Sequence, residues 1–249
     1  GEVHKIIRQD HAMNKANILP MRWVVEWKMI DGQLAIKARL VVQGTKTKDI
    51  REGVQTEVAL LHHRALRIMM AWQTKQPNWD PKGSILQGDL KTAFLQAENL
   101  SDLVFVKKPK DTGAVSEEEC SLVDNMFGSD GIAQAIKTLY GTRDAPHNLD
   151  VQVRRSLLNR GYRECLSCPN LYRRFTAKGI KYEDFSKYTP SEKRNILKEK
   201  GVTLDSAVFV YVDDLLMFSG MTKAADVAKE IQVQWKFKEE PKPPSRFLG

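Results

Sequence analysis

Ala207-Val208-Phe209-Val210-Tyr211-Val212-Asp213-Asp214-Leu215-Leu216-Met217-Phe218 is an apolar run with two adjacent carboxylates at its centre. Burying unpaired charge is costly, and two like charges side by side each raise the other's pKa. A fold keeps such a pair mainly when a cation neutralises it. The plainer alternative is an Asp-Asp turn at a solvated hairpin tip, since aspartate suits turns.

A second segment bears on that choice. Ile85-Leu86-Gln87-Gly88-Asp89-Leu90-Lys91-Thr92-Ala93-Phe94-Leu95 reads as a short strand ending in Asp89, then a turn into a helix. A lone aspartate there is commonly an N-cap. It meets Asp213 and Asp214 only if the two strands lie side by side in one sheet. Three carboxylates at adjoining strand ends can hold two Mg²⁺ ions about 3.5–4 Å apart, an arrangement suited to phosphoryl transfer. Mg²⁺ takes oxygen ligands, so neither histidine nor cysteine is required.

The remaining composition narrows the class. The chain has 249 residues, enough for one large domain or two subdomains. Its net charge is +8 and its isoelectric point about 9.3, which suits a polyanionic partner such as nucleic acid. Three cysteines argue against a disulfide scaffold and for a reducing compartment. Cys165-Leu166-Ser167-Cys168 is a lone CxxC without a second pair or nearby histidines, weak support for zinc or for redox chemistry. No apolar run approaches the ~20 residues of a membrane span, and no signal peptide opens the chain. Beginning at Gly1 and closing on Phe247-Leu248-Gly249, it reads as part of a longer polyprotein.

Residues 22–43 read as a β-hairpin turning at Asp31-Gly32. On the return strand Leu34, Ile36, Ala38, Leu40 and Val42 share one face, and Lys37 and Arg39 the other. Helices are expected over 63–76, 149–160 and 222–236, with Leu66, Met69 and Met70, then Leu149, Val153 and Leu157, then Val227, Ile231 and Trp235 as apolar stripes. Thr189-Pro190-Ser191-Glu192 is a capping box, so a short helix to about Lys200 is expected inside a polar insertion at 176–204. Residues 113–131 read as a loop.

At this point a family resemblance is visible. Tyr211-Val212-Asp213-Asp214 resembles the YVDD box of reverse transcriptases of copia-type LTR retrotransposons. Trp23-Val24-Val25 with Lys37-Ala38-Arg39-Leu40-Val41-Val42-Gln43-Gly44 resembles the family's tryptophan and KARLV-x-x-G hairpin. Gly88-Asp89-Leu90-Lys91-Thr92-Ala93-Phe94-Leu95 is similar to its D-V-K-T-A-F-L segment, and Val104-Phe105-Val106-Lys107-Lys108-Pro109 to the strand that follows. Leu139-Tyr140-Gly141 with Ala145-Pro146, and Phe247-Leu248-Gly249, resemble its L-Y-G-L-K-Q-A-P and Y-L-G elements. The motifs keep the family's order.

The resemblance implies an α+β right-hand polymerase: fingers at 1–80 and 104–145, palm at 81–103 and 146–249 with an antiparallel sheet packed on helices, and no thumb. It implies an RNA-directed DNA polymerase joining a dNTP to a primer 3′-OH on an RNA or DNA template. Asp89, Asp213 and Asp214 would be catalytic and, with the Leu90 carbonyl, would hold two Mg²⁺ ions, or Mn²⁺ in their place. Phe94 would exclude a ribose 2′-OH, and Lys37 and Arg39 would reach the triphosphate, although both also fit a solvated strand face. The thumb, RNase H and integrase would be further parts of the Pol polyprotein, the compartment cytoplasmic within a virus-like particle, and no membrane would be involved. The chain departs from the pattern at Thr142-Arg143-Asp144, where Leu-Lys-Gln is usual and where Asp144 would add negative charge near the nucleotide. It departs again at Leu149, in place of a tryptophan, and at Val58-Ala59-Leu60-Leu61, which lacks a proline. The alternative is a catalytically decayed polymerase fold that still binds nucleic acid through its basic surface, including Arg154, Arg155 and Arg160.

Overall fold

The computed structural model describes residues 4–6, 18–30, 32–45, 53–58, 63–97, 99–110, 116–127 and 131–245. Asp31 of the hairpin turn, residues 59–61 and the closing Phe247-Leu248-Gly249 lie outside the described residues. The strands are β1 (His4–Ile6), β2 (Ile18–Ile30), β3 (Gln33–Val42), β4 (Ile85–Asp89), β5 (Asn99–Lys107), β6 (Ile132–Lys137), β7 (Arg163–Cys165), β8 (Cys168–Ala177), β9 (Val202–Tyr211) and β10 (Asp214–Ser219). The helices are α1 (His63–Thr74), α2 (Ala93–Gln96), α3 (Glu117–Phe127), α4 (Ala145–Asn159), α5 (Tyr182–Ser186), α6 (Pro190–Lys200) and α7 (Ala224–Gln232). The fold is mixed α+β, with two sheets that belong to two compact units, 1–57 with 97–149 and 58–96 with 150–249.

The first unit holds a sheet in the order β1-β6-β5-β2-β3, in which only β2 and β5 run parallel. The hairpin expected at 22–43 is β2 and β3, with Trp23 opposite Leu40 and Ile30 opposite Gln33 across the turn. Its base joins a core of Leu19, Met21, Val42, Val104, Val106 and Ala133. Towards its tip Trp27 and Ile36, a cross-strand pair, are 68% and 56% exposed, because there the ribbon is only two strands wide. Gly44 donates to the Gly141 carbonyl at 3.0 Å, and Val42 donates to that of Tyr140 at 2.8 Å. Gly141 has φ +89°, and a Cβ there would collide with the Val42 carbonyl. A single backbone crossing thus demands glycine in two distant segments.

Residues 113–131 are not simply a loop, since α3 occupies Glu117–Phe127. Its core face is Val123 and Phe127, four apart, both buried against the first sheet. The many acidic and polar residues around them mask that spacing in the sequence.

The second unit carries an antiparallel sheet in the order β4-β10-β9-β8-β7. Alternation sends Ala207, Phe209, Leu216 and Phe218 to one face, where they meet Leu66, Ile85 and Leu171. Met69 and Met70 of α1 pack on the same cluster. Helix α1 therefore packs on this sheet, its apolar stripe against β4, β9 and β10. Helix α7 lies against β10 and β4, burying Val227 and Ile231. Cys165 and Cys168 flank the β7–β8 turn and sit in the core as small apolar residues. Helix α6 begins as expected, with Thr189 accepting from the Glu192 N–H and Glu192 accepting from that of Thr189 at 2.7 Å. No helix among the described residues is long and apolar enough to cross a membrane.

The insertion between β8 and β9 is seated by a buried ionic network. Arg174, 4% exposed, lies between the rings of Tyr162 and Tyr182, at 4.6 and 4.7 Å. Its guanidinium donates to Asp205 at 2.7 Å and to both carboxylate oxygens of Glu230 at 2.7 and 3.0 Å. Asp205 is wholly buried and also accepts from Thr222 and from the Tyr182 N–H. Removing one partner of such a network leaves an uncompensated interior charge. Arg174→Leu is expected to lower unfolding free energy by about 3–5 kcal/mol in a urea titration, and Arg174→Leu/Asp205→Asn to recover part of the loss. A loss below about 1 kcal/mol in the single variant would contradict a structural role for the pair.

Candidate active site

The apolar run that carries Asp213 and Asp214 is a hairpin, not one strand. β9 ends at Tyr211, β10 begins at Asp214, and Val212-Asp213 forms the turn between this pair. Val212 adopts φ +55°, which is unfavourable for a β-branched residue. Its neighbours fix it there: the Leu90 N–H donates to the Asp213 carbonyl at 2.8 Å.

The register brings the two carboxylate segments together. β4 pairs with β10 so that Asp89 stands opposite Asp214, Gln87 opposite Leu216 and Ile85 opposite Phe218. Period two puts Ile85, Gln87 and Asp89 on the same face as Phe218, Leu216 and Asp214. The apolar end of that face is covered by α1, and the carboxylates occupy the other end. Gln87 donates to Asp214 Oδ1 at 3.3 Å. Both readings of the sequence thus meet, because the Asp-Asp pair sits at a hairpin tip and that tip adjoins a third carboxylate.

The chain from Lys236 to Lys242 runs along the outer edge of β4. Lys91 donates to the Lys236 carbonyl at 2.8 Å, Lys238 to that of Asp89 at 2.8 Å, and Gln87 and Lys242 exchange backbone bonds at 2.7 and 3.0 Å. The Phe237 ring lies over Gly88, where a Cβ would come within 2.6 Å of it. Gln96 of α2 clamps Lys236 from both sides, donating to its carbonyl at 2.9 Å and accepting from its N–H at 2.6 Å. Lys238 Nζ ends 3.7 Å from Asp89 Oδ2. An open cleft of about 210 Å³ is lined by Gln87, Asp89, Asp214, Lys238 and Lys242.

Among the described residues, Lys238 is the cation that acts on the carboxylates of Asp89, Asp213 and Asp214. Burial pushes the Asp213 carboxyl above the ordinary 3.8, and the charges of Asp89 and Asp214 push it further, against its own backbone N–H and Lys238. Asp214 is likewise raised by burial and by Asp89, while the Gln87 amide and Lys238 pull it back. Among the described residues no group of three His, Cys, Asp or Glu side chains is drawn together tightly enough to hold a metal ion. The donor chemistry, all oxygen, fits a hard divalent cation, but the carboxylates would have to close further to hold one.

Of the other expected site residues, Leu90 is 2% exposed directly after Asp89, and Phe94 is half-buried in α2 of the same unit. Lys37, Arg39 and Asp144 belong to the first unit. Arg39 pairs with Glu26 at 2.8 Å, and Lys37 stands cross-strand from Glu26, so their face also carries an acid. Asp144 is buried directly before α4, in the N-cap position that favours aspartate. Leu149 is wholly buried. Gln87 and Lys238 are the site residues that the sequence reading missed. Gln87 has a signal, two residues before Asp89 on a strand; Lys238 has none, because only the pairing of 236–242 with β4 places it. Compared with known proteins, the chain matches no family model and no curated protein.

Folded-state values above those of the unfolded chain mean that Asp213 and Asp214 bind protons more tightly when folded. Their contribution favours the fold below the ordinary 3.8 and is lost as pH rises through the raised values. At neutral pH both carboxylates therefore cost stability. Asp213→Asn and Asp214→Asn are each expected to raise Tm by about 1–3 °C at pH 7.5, a gain held small by solvent screening and shrinking toward pH 4. Thermal unfolding at the two pH values checks this, and a lower Tm for both variants at pH 7.5 would contradict it.

Proposed function

We propose that this chain is the fingers-and-palm portion of an RNA-directed DNA polymerase similar to the reverse transcriptases of copia-type LTR retrotransposons. The observation that carries the reading is Asp89 opposite Asp214, with Asp213 in the adjoining turn, at one end of an antiparallel sheet. The ordered motifs and the basic net charge of +8 support it. In this reading the first unit holds the fingers and the second the palm.

Asp89, Asp213 and Asp214 would hold two Mg²⁺ ions, with Mn²⁺ as a substitute. Two such ions, when bound, lower the pKa of the primer 3′-OH and offset charge on the leaving pyrophosphate. The carboxylates are half-buried, in a site of lowered dielectric where the attraction of a negative group for a cation is stronger than in water. Phe94 follows Asp89 by five residues on α2 and would bar a ribose 2′-OH. Lys37 and Arg39 would bind the triphosphate, which would have to compete with Glu26 for Arg39. Template, primer and dNTPs are the substrates, and the remainder of a Pol polyprotein the covalent partner.

A second reading is a decayed polymerase fold that binds nucleic acid without copying it. The ion pair at Asp89 and the aspartate at 144 favour it. The arginines in and just after α4 favour it less: Arg154 pairs with Glu164 at 2.9 Å, and Arg160 donates to Ser156 and to the Glu230 carbonyl.

Mg²⁺-dependent extension of a DNA primer on an RNA template separates the two readings. Extension is expected from the native chain, with a loss of at least a hundredfold in Asp213→Asn and with ribonucleotide incorporation appearing in Phe94→Ala. Extension confined to Asp144→Gln, or absent throughout while binding falls steeply with salt, would favour the decayed reading.

A further inference from the structure

Lys238 is not an ordinary surface lysine. Its backbone is fixed in register with Asp89 by the 2.8 Å bond from its N–H to the Asp89 carbonyl. The residues before it are anchored as well, Phe237 over Gly88 and Lys236 in the Gln96 clamp. From that footing the side chain reaches back to the carboxylates, 3.7 Å from Asp89 Oδ2. It also acts electrostatically on Asp213 and Asp214, so its ammonium serves all three carboxylates. The other groups at the cleft are Lys242, Glu239 and Glu240. Lys242 is engaged with Glu239 at 2.7 Å, so among the described residues that line the cleft Lys238 is the cation directed at the cluster.

We propose that Lys238 is a tethered counter-ion, which neutralises part of the carboxylate cluster when no metal is bound and must swing away when a divalent cation enters. This rests on the reading of Asp89, Asp213 and Asp214 as a metal site. The two occupants compete for the same oxygens, so Lys238 lowers the affinity of the chain for the ion. A lysine suits this use: its stem is flexible, its side chain is half-exposed, and its charge can move into solvent without leaving a buried group unpaired. The backbone anchor keeps it within reach, so that it returns when the ion leaves.

The test is Mn²⁺ binding to the whole chain, followed by electron paramagnetic resonance, with thermal unfolding in the absence of metal. Lys238→Met is expected to bind Mn²⁺ about fivefold more tightly than the native chain, since one positive charge near 4 Å is removed. Lys238→Arg, which keeps the charge, is expected to stay within about twofold of native. Without metal, Lys238→Met is expected to have the lower Tm, and Mn²⁺ to restore it. Equal or weaker Mn²⁺ binding by Lys238→Met would overturn the inference and leave the metal site standing. No Mn²⁺ binding by either chain would overturn both.

Discussion

The antiparallel register between β4 and β10 sets the geometry of the second unit's site. Asp89 faces Asp214 because Ile85 faces Phe218 and Gln87 faces Leu216. A slip of one residue would turn Asp89 to the opposite face and send Ile85 out of its core. The burial of Ile85, Phe209, Leu216 and Phe218 under α1 resists that slip. Phe209 and Phe218 add an edge-on ring contact at 6.0 Å. Apolar packing at one end of the face therefore holds like charges together at the other, at a distance they would not choose.

The outer side of β4 poses a second constraint. An uncovered edge strand offers unpaired backbone groups to any other chain. Residues 236–242 occupy that edge, through bonds to Gln87, Asp89 and Lys91. The same strap brings Lys238 to Asp89, so protection of the edge and compensation of the charge come from one segment. Gly88 is the condition for it, because the Phe237 ring takes the space of a Cβ.

Local patterns carried much of this into the sequence. The turn of the β2–β3 hairpin and the α6 capping box rest on contacts within a few residues, and spacing and turn chemistry expose them; the strand before Asp89 shows its type in its apolar run, but not its partner β10. Helix α3 was hidden because its core face is short, Val123 and Phe127 with Met126 beside them, among polar and acidic neighbours. The unit to which α1 belongs was illegible for a different reason: an apolar stripe tells that a helix is covered, not by which sheet. Lys238 was beyond reach because its role depends on a strap pairing with a strand far away in sequence. Asp144, read as an intruding charge, stands where a helix start favours aspartate, and both descriptions fit the residue type.

The backbone at the hairpin tip bears on whether the Asp-Asp pair is only a turn. A turn free of other demands places glycine or asparagine at a positive φ, since a β-branched residue there costs about 1–3 kcal/mol. This chain has Val212 at φ +55° beside Asp213 and Thr92 at φ +46° shortly after Asp89. Two β-branched residues in the left-handed region thus flank the carboxylates, one on each segment. Val212 is held by the pairing of β9 with β10 and by the Leu90 to Asp213 bond, and the Thr92 carbonyl accepts from the Leu95 N–H at 2.8 Å. Strain placed beside like charges is more than a solvated turn requires.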